Sequence, residues 1–281
     1  MPERNAAAGV VVGTDGSDSS LLAVRWAAHE ATYRRAGLTV AHVVADSAPG
    51  VNGPPDAGDI VTRAVEAADS GAHGIGEVRV AQPHGRPVAA LAELSRTAEL
   101  IVVGGHGRSG KHRRDLGPVA HGLVQHAHCP VGVVRDDPAP SWRAHRPVLV
   151  GIDGSRASKL AAAVAFEEAC WRGVELLALH VCHDTEAPPA TGRRDPGLIE
   201  AAEAILRRSL AELRERYPAV SVSHLIRFAN PARQLLVQGE RAQLVVVGSH
   251  GRGGFTGKLL GSVGTAVAQD ARASVIVARR H

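Results

Sequence analysis

The chain of 281 residues contains an internal repeat. The segment Val10–Ser17 (VVVGTDGS) is matched by Val148–Ser155 (VLVGIDGS), at an offset of 138 positions. Further along, Glu99–Arg108 (ELIVVGGHGR) is matched by Gln243–Arg252 (QLVVVGSHGR), at an offset of 144 positions. Ordered matches at nearly the same spacing indicate a duplicated domain, so the chain must fold into two related units.

The boundary between the two units is marked by the segment Asp136–Ser141 (DDPAPS), which two prolines make stiff. Each half then has the ordinary size of a domain, about 100–150 residues. The predicted organisation is a first domain over 1–136, a linker over 137–145 and a second domain over 146–281.

Each half alternates continuous apolar runs with amphipathic stretches. Buried parallel strands have such runs, and helices then cover both faces of the sheet. The predicted fold class is therefore α/β, with two tandem open sheets of five parallel strands. The predicted strands are 9–14, 38–44, 77–82, 100–104 and 130–135, then 147–152, 174–181, 220–227, 243–248 and 274–279. The predicted helices are 18–36, 58–72, 86–97 and 116–127, then 156–172, 196–216, 231–240 and 260–271.

A glycine-rich segment follows the fourth predicted strand of the second half. Gly248, Gly251 and Gly261 are spaced as G-x2-G-x9-G, and Ser262 comes directly after the last of them. Glycines let the backbone approach a ligand closely, and the N–H groups at the start of a helix attract an anion. The pattern therefore predicts a site for the phosphates of a nucleotide.

The first half has the corresponding glycines, Gly104, Gly107 and Gly117, but Pro118 stands where the second half has Ser262. Proline fits the first helical position because the N–H there has no intrahelical partner. It offers an anion neither a hydroxyl nor an N–H, however, and one charge-assisted hydrogen bond is worth about 1.5–3 kcal/mol, roughly ten- to a hundredfold in affinity. We expect the first site to bind phosphate more weakly than the second.

With these motifs, both halves resemble the universal stress protein domain, whose ATP-binding members share G-x2-G-x9-G-(S/T). The segment 248–262 matches that pattern, and the Asp-Gly-Ser after Gly13 and Gly151 and the His-Val pairs at 42–43 and 180–181 support it. The resemblance implies a sheet like that of the adenine-nucleotide α-hydrolases, with Rossmann-like layering. It also implies that a tandem chain is an intramolecular pseudo-dimer, and it allows a homodimer of such chains. We expect the last strands of the two halves to pair, because an uncovered edge strand is a liability.

The resemblance further implies ATP, with Mg²⁺, as the ligand. The implied binding residues are Gly13, Asp15, Val43, Gly104, Gly107 and Gly117 in the first half, and Gly151, Asp153, Val181, Gly248, Gly251, Gly261, Ser262 and Val263 in the second. In this interpretation Asp153 accepts hydrogen bonds from adenosine or helps to hold Mg²⁺, and Val181 lines the adenine pocket. Two simpler roles stay open, Asp153 as a turn residue and Ser262 as a helix N-cap.

The resemblance implies an ATP-binding, nucleotide-responsive regulator of a stress or dormancy response, and it allows a regulatory protein partner. Ser17 and Ser155 have no histidine placed to activate them, so we predict no catalytic residues. Two alternatives stay open: a slow ATP-hydrolysing enzyme of the same fold, and an interaction scaffold that binds no nucleotide. Rapid release of ADP would favour the first, and failure to retain nucleotide would favour the second.

Composition argues against several other classes. Aromatic residues make up 3% of the chain, which leaves few stacking platforms for nucleic acid. The 15 histidines form no second cluster that would complete a metal site, so we expect no protein-bound metal centre. No apolar run is long enough to cross a membrane or to act as a secretory signal, and we expect a cytoplasmic location. The three cysteines lack C-x-x-C spacing and are expected to be reduced, buried and structural.

Overall fold

A computed structural model describes residues 9–44, 57–71, 76–107, 116–135, 145–182, 196–251 and 260–279. These residues form two compact units, one ending at Arg135 and the other running from His145 to Arg279. Most of the predicted linker lies outside the described residues, so the domain bounds stay a prediction.

The described part of the first unit alternates five strands with four helices. Its strands are β1 (Val10–Gly13), β2 (Leu38–Ala41), β3 (Val78–Ala81), β4 (Leu100–Gly104) and β5 (Val131–Val134). Its helices are α1 (Asp18–Arg34), α2 (Ala57–Gly71), α3 (Pro87–Leu94) and α4 (Pro118–His126). Neighbouring strands pair in parallel, in the order β3-β2-β1-β4-β5.

The described part of the second unit repeats this arrangement. Its strands are β6 (Val148–Gly151), β7 (Leu176–Cys182), β8 (Val222–Phe228), β9 (Leu244–Gly248) and β10 (Ser274–Ala278). Its helices are α5 (Arg156–Arg172), α6 (Pro196–Arg216), α7 (Pro231–Gly239) and α8 (Ser262–Asp270). The strands are again parallel, in the order β10-β9-β6-β7-β8.

The central strands are buried because their sequences are continuous apolar runs. The three valines of β1 and the first three residues of β6 have no exposed surface. On one face of the first sheet, α1 packs through Ala23, Ala27 and Ala31. Small side chains let a helix lie close to the sheet, which is how a chain with few aromatic residues reaches close packing.

The helices α1 and α5 begin in the same way, directly after the first strand of each unit. Ser17 is the N-cap of α1, and its Oγ accepts a hydrogen bond from the N–H of Ser20 at 3.3 Å. Ser155 does the same for the N–H of Ser158 in α5, at 3.1 Å. Such a cap contributes about 0.5–2 kcal/mol, and it fixes the turn between strand and helix.

The predicted fold class and the alternation of strands and helices are confirmed, and most element ends lie within two residues of their predicted positions. The third helix is shorter than the predicted range 86–97 because Ser95 ends it. Ser95 Oγ donates to the carbonyl oxygen of Ala92 at 2.6 Å and accepts the N–H of His128 at 2.8 Å. A tertiary contact across 33 positions therefore sets this helix end.

One expectation about the cysteines is wrong, because Cys170 is exposed. Cys129 is buried and Cys182 is half-buried, and none of the three is in a disulfide. Among the described helices, none combines the length and the apolar composition that a membrane span requires.

Candidate functional site

The carboxyl ends of β1 and β4 lie side by side in the first sheet, as do those of β6 and β9 in the second. From β1 the chain crosses to β2 on one side, and it later crosses from β3 to β4 on the other side of β1. Parallel crossovers are right-handed, so the helices of these two connections lie on opposite faces and leave a crevice between the two strand ends. Open α/β sheets take their ligands in such crevices, and the predicted site residues lie around this edge.

Asp15 and Asp153 follow β1 and β6 at this edge. Asp15 Oδ1 accepts hydrogen bonds from the N–H of Ser17 at 3.0 Å and from Ser17 Oγ at 2.6 Å. Asp153 Oδ1 accepts the N–H of Ser155 at 2.8 Å. The Oδ1 atom of each aspartate thus stabilises the turn between strand and helix, which is the simpler role that the sequence left open. The hydrogen bond from the serine N–H to Oδ1 also sets the direction of the carboxylate.

The middle glycine of each loop lies against the second carboxylate oxygen. A Cβ on Gly107 would lie 2.5 Å from Asp15 Oδ2, and a Cβ on Gly251 would lie 2.8 Å from Asp153 Oδ2. Both distances are too short for a real side chain, so any larger residue would push the carboxylate aside. The glycine loop and the aspartate of each unit are therefore direct neighbours.

The first glycine of each loop is required by packing. A Cβ on Gly104 would lie 2.8 Å from the carbonyl group of Ser19 in α1, and a Cβ on Gly248 would lie 2.8 Å from the carbonyl carbon of Ala157 in α5. The end of the strand thus meets the first turn of the helix, backbone against backbone. These glycines serve the fold independently of any ligand.

The third glycine of the second loop, Gly261, is different. Its N–H donates to the carbonyl oxygen of Ser249 at 2.7 Å, its φ is −73°, and the nearest neighbour of an added Cβ would be 3.4 Å away. Any residue adopts this backbone, and the contact distance is ordinary. Gly261 is the N-cap of α8 and provides no side-chain cap, although serine or aspartate would add one. Among the described neighbours nothing demands glycine here, and they leave room for a Cβ at the start of the helix.

Ser262 is the first residue inside α8, and its side chain is exposed. The simpler role in which Ser262 caps the helix is therefore wrong, because Gly261 holds the N-cap position. The N–H groups of Ser262 and Val263 belong to the first turn, where a helix offers no acceptor of its own. A ligand at this helix start would meet these two N–H groups and the Ser262 hydroxyl.

The helix α4 starts with the same backbone geometry. Gly117 is its N-cap, with a φ of −61°, and the Gly117 N–H donates to the carbonyl oxygen of Gly105 at 2.7 Å. Pro118 is the first helical residue. A Cβ on Gly117 would lie 3.2 Å from His106 Cα, a tighter fit than in the second loop. The residue after the N-cap is thus the main chemical difference between the two helix starts.

The remaining predicted site residues lie along the same edge. Val43 follows β2, Val181 is near the end of β7, and both are half-buried. A Cβ on Gly13 would lie 2.9 Å from Leu91 Cδ1, so this glycine makes room for α3. Gly151 faces α7 in the same way, with a looser contact.

Two buried histidines at this edge were given no role by the sequence. His42 Nδ1 lies 2.9 Å from the carbonyl oxygen of Thr14, and His180 Nδ1 lies 2.6 Å from that of Ile152. The signal was present, because His-Val pairs recur at the offset of the repeat. The resemblance assigns only the valines of these pairs, Val43 and Val181, to the site.

A cavity of about 410 Å³ lies beside the aspartate of the first unit, between the β1–α1 turn and α2. Its walls are formed by Asp15, Gly16, Asp59, Ile60, Thr62, Arg63 and Glu66. Within the described ranges, no three histidine, cysteine, aspartate or glutamate side chains come together to hold a metal ion. A divalent cation at this edge would need oxygens of a ligand or water for most of its coordination.

The fold and the two strand-end crevices define a tandem α/β protein with a glycine loop in each unit. The model of the universal stress protein family matches residues 9–135 and again 144–279. Universal stress protein Rv2005c of Mycobacterium tuberculosis (strain ATCC 25618 / H37Rv) is 46% identical over an alignment of 287 positions, which covers 97% of this chain and 97% of that protein. The chain therefore belongs to the universal stress protein family and carries two copies of its domain.

The fold resembles that of a solved structure. The crystal structure of a universal stress protein from Archaeoglobus fulgidus DSM 4304 has a TM-score of 0.70 at 20% identity, and the match covers 98% of this chain and 99% of that chain. A universal stress protein solved in complex with cAMP is 34% identical, with a TM-score of 0.36, over 44% of this chain and 92% of that chain.

Proposed function

We propose that the protein binds ATP at the carboxyl edge of each sheet, more tightly in the second unit, and acts as a nucleotide-responsive regulator in a stress or dormancy response. The observation that carries this proposal is the duplicated crevice. In each unit an aspartate held by its own turn meets a glycine loop, and the loop ends at a helix N-terminus. This is the place where open α/β sheets take nucleotides.

The second unit fits a triphosphate best. Gly261 leaves a space that a side chain would occupy, although the backbone and the neighbouring atoms would accept one. The N–H groups of Ser262 and Val263 and the Ser262 hydroxyl are donors at the positive end of the α8 dipole. Such an end favours the negative oxygens of phosphate. We therefore assign phosphate binding to these residues.

Asp153 is assigned to the ribose or to Mg²⁺. Its Oδ1 accepts the N–H of Ser155, while its Oδ2 lies next to Gly251 on the side of the loop. Mg²⁺ in nucleotide sites commonly takes one or two carboxylates together with phosphate oxygens and water. One aspartate per unit is thus enough for Mg-ATP, and the bound ion would neutralise part of the phosphate charge.

The first unit keeps the carboxylate and the middle glycine of the loop, but it has Pro118 at the start of α4. The backbone of Gly117 is nearly that of Gly261, so both helices would present their ends to a phosphate at a similar angle. Pro118 supplies no donor. The loss of one hydrogen bond to a charged group predicts roughly ten- to a hundredfold weaker binding in the first unit.

Isothermal titration calorimetry with Mg-ATP tests the proposal, with cAMP and GTP as comparison ligands. Gly261→Ala should weaken the tight binding event by about tenfold or more, about 1.4 kcal/mol, because its Cβ fills the space proposed for phosphate. The midpoint of urea unfolding should stay the same, since the fold has room for that Cβ. Gly117→Ala should leave the tight event unchanged, because it alters the other unit.

Gly58→Ala is a matched control, because an added Cβ at this position in α2 meets nothing within 4 Å. It should bind ATP as the wild type does. A wild-type protein that binds none of the three nucleotides contradicts the proposal and favours the scaffold alternative. Continuous release of ADP from Mg-ATP, lost in Gly261→Ala, would instead favour the ATP-hydrolysing enzyme.

A further inference from the structure

Each unit holds a buried histidine near the carboxyl end of its second strand: His42 directly follows β2, and His180 lies in the second half of β7. Each side chain contacts the residue that follows the first strand of its unit. His42 is 7% exposed, and its Nδ1 lies 2.9 Å from the carbonyl oxygen of Thr14. His180 is 4% exposed, and its Nδ1 lies 2.6 Å from the carbonyl oxygen of Ile152. Both contacts span 28 positions of sequence, so the arrangement is a property of the repeated domain.

The chemistry of the partner determines the state of each ring. A carbonyl oxygen only accepts hydrogen bonds, so Nδ1 must carry the hydrogen and donate it, and the neutral ring then has its lone pair on Nε2. Within the described part of the chain, Nε2 of His42 is buried and has no hydrogen-bond partner. Burying an unsatisfied nitrogen is unfavourable. Packing alone therefore does not explain a histidine at this position, because an apolar side chain would fill the space without burying an unpaired nitrogen. The feature that distinguishes histidine from an apolar residue here is the hydrogen bond that Nδ1 donates.

The carbonyl that each histidine binds belongs to the residue directly before the site aspartate. In the second unit, the N–H of Ile152 donates to the carbonyl oxygen of Leu179 at 2.8 Å, which extends the pairing of β6 with β7 by one residue. His180 then holds the carbonyl of the same residue. The peptide that leads into Asp153 is thus fixed by a side chain where the regular strand has already ended.

Three of the described contacts help to set the position of Asp153. The His180 hydrogen bond fixes the backbone before it, the N–H of Ser155 holds its Oδ1, and Gly251 borders its Oδ2. The first contact acts on the main chain and the other two act on the carboxylate. Without the first contact the turn could shift with its Ser155–Asp153 hydrogen bond intact, and Asp153 would then change its position relative to Gly251.

We propose that His42 and His180 are positioning residues of the two nucleotide sites. By donating Nδ1–H to the carbonyl before Asp15 or Asp153, each histidine holds the aspartate in the direction that ligand binding requires. The effect on affinity rests on the proposed function, whereas the effect on the turn needs no ligand. His180 has the larger effect on ATP binding, because the second unit carries the tighter site.

Three substitutions of His180 separate the Nδ1 hydrogen bond from packing. Asparagine places an amide N–H near the position of Nδ1, glutamine places one near the position of Nε2, and alanine supplies neither. For His180→Asn, His180→Gln and His180→Ala, amide hydrogen exchange over 153–158 is measured without ligand, and Mg-ATP affinity is measured by calorimetry. His224→Asn, at an exposed position of β8, is the control for loss of an imidazole.

We expect His180→Ala and His180→Gln to speed exchange in the turn and to weaken Mg-ATP binding by about tenfold, as for one lost hydrogen bond. His180→Asn should restore both quantities to within about threefold of the wild type. A purely structural role would lower the unfolding midpoint of the asparagine and glutamine variants alike and would leave no difference between them in the turn.

Equal exchange in the asparagine and glutamine variants overturns the positioning role, whatever their affinities. A difference in exchange, combined with a wild type that binds no nucleotide, overturns the proposed function and leaves the positioning of the turn in place. If His180→Ala fails to fold, the comparison of His180→Asn with His180→Gln still tests the positioning role. The same substitutions of His42 repeat the test in the first unit.

Discussion

Exchanging the residues that begin α4 and α8 should exchange the affinities of the two units for ATP. The preceding residues, Gly117 and Gly261, have φ of −61° and −73° and a ψ of 154° in both cases. These values lie in the region that a residue before proline prefers. Both Ser262→Pro and Pro118→Ser therefore fit without moving the helix. Ser262→Pro removes one hydroxyl and one N–H from the start of α8, and Pro118→Ser adds the same two groups to the start of α4.

The size of the effect follows from the donors that are removed. A hydrogen bond to a charged group is worth about 1.5–3 kcal/mol. Ser262→Pro removes two donors, the hydroxyl and the N–H, and the loss of one of them should already raise the Kd for ATP roughly ten- to a hundredfold. Proline at the first helical position should not destabilise the fold and can add about 0.4–1 kcal/mol by restricting the unfolded chain. A loss of affinity without a loss of stability separates the missing donor from damage to the fold.

The assay is calorimetric titration of Mg-ATP into the wild type, each single variant and the double variant, with urea unfolding of all of them. Pro118→Ser should add a second tight binding event, and the double variant should move the tight event from the second unit to the first. If Ser262→Pro binds ATP as tightly as the wild type, the assignment of phosphate to the start of α8 is refuted.

Other substitutions test the rest of the site and the fold. Gly251→Ala should weaken ATP binding by about tenfold in calorimetry, because its Cβ would lie 2.8 Å from Asp153 Oδ2 and displace that carboxylate. Arg172→Met should lower the free energy of unfolding in urea by up to about 3–5 kcal/mol, because it removes an ion-pair partner, 3.1 Å away, of the fully buried Glu168. Adding Glu168→Gln should recover part of that loss. Burial raises the pKa of the Tyr217 hydroxyl, so the folded state keeps this proton at a pH where the unfolded chain has lost it. This contribution to stability should be fully present below pH about 10 and decline above it in unfolding experiments at increasing pH.

The fold could be predicted from the sequence because each element carries its own signal. The first strands of the two units are continuous apolar runs, and helices such as α2 and α7 have the periodicity of amphipathic segments. The end of α3 could not be predicted, since it depends on the contact between Ser95 and His128, which come together only in the folded chain. The burial of Cys170 was overestimated because an apolar residue type does not reveal which side of a helix faces the core.

The site was only partly predictable. Spacing located the glycine loop, but it did not distinguish Gly248, which lies against the backbone of Ala157, from Gly261, which has room around it. That difference depends on how closely a helix approaches a strand. The role of His180 depends on the alignment of β7 with β6, which brings its ring to the carbonyl of Ile152. The register between two strands cannot be predicted from the sequence of either strand alone.

The most direct test of nucleotide binding is mass spectrometry of the small molecules released when the purified protein is denatured. We expect near-stoichiometric ATP from the wild type, bound by the second unit, lost in Gly261→Ala and retained in Gly117→Ala. A wild type that releases no nucleotide, either as purified or after incubation with Mg-ATP, would contradict the claim that this universal stress protein is a nucleotide-binding regulator.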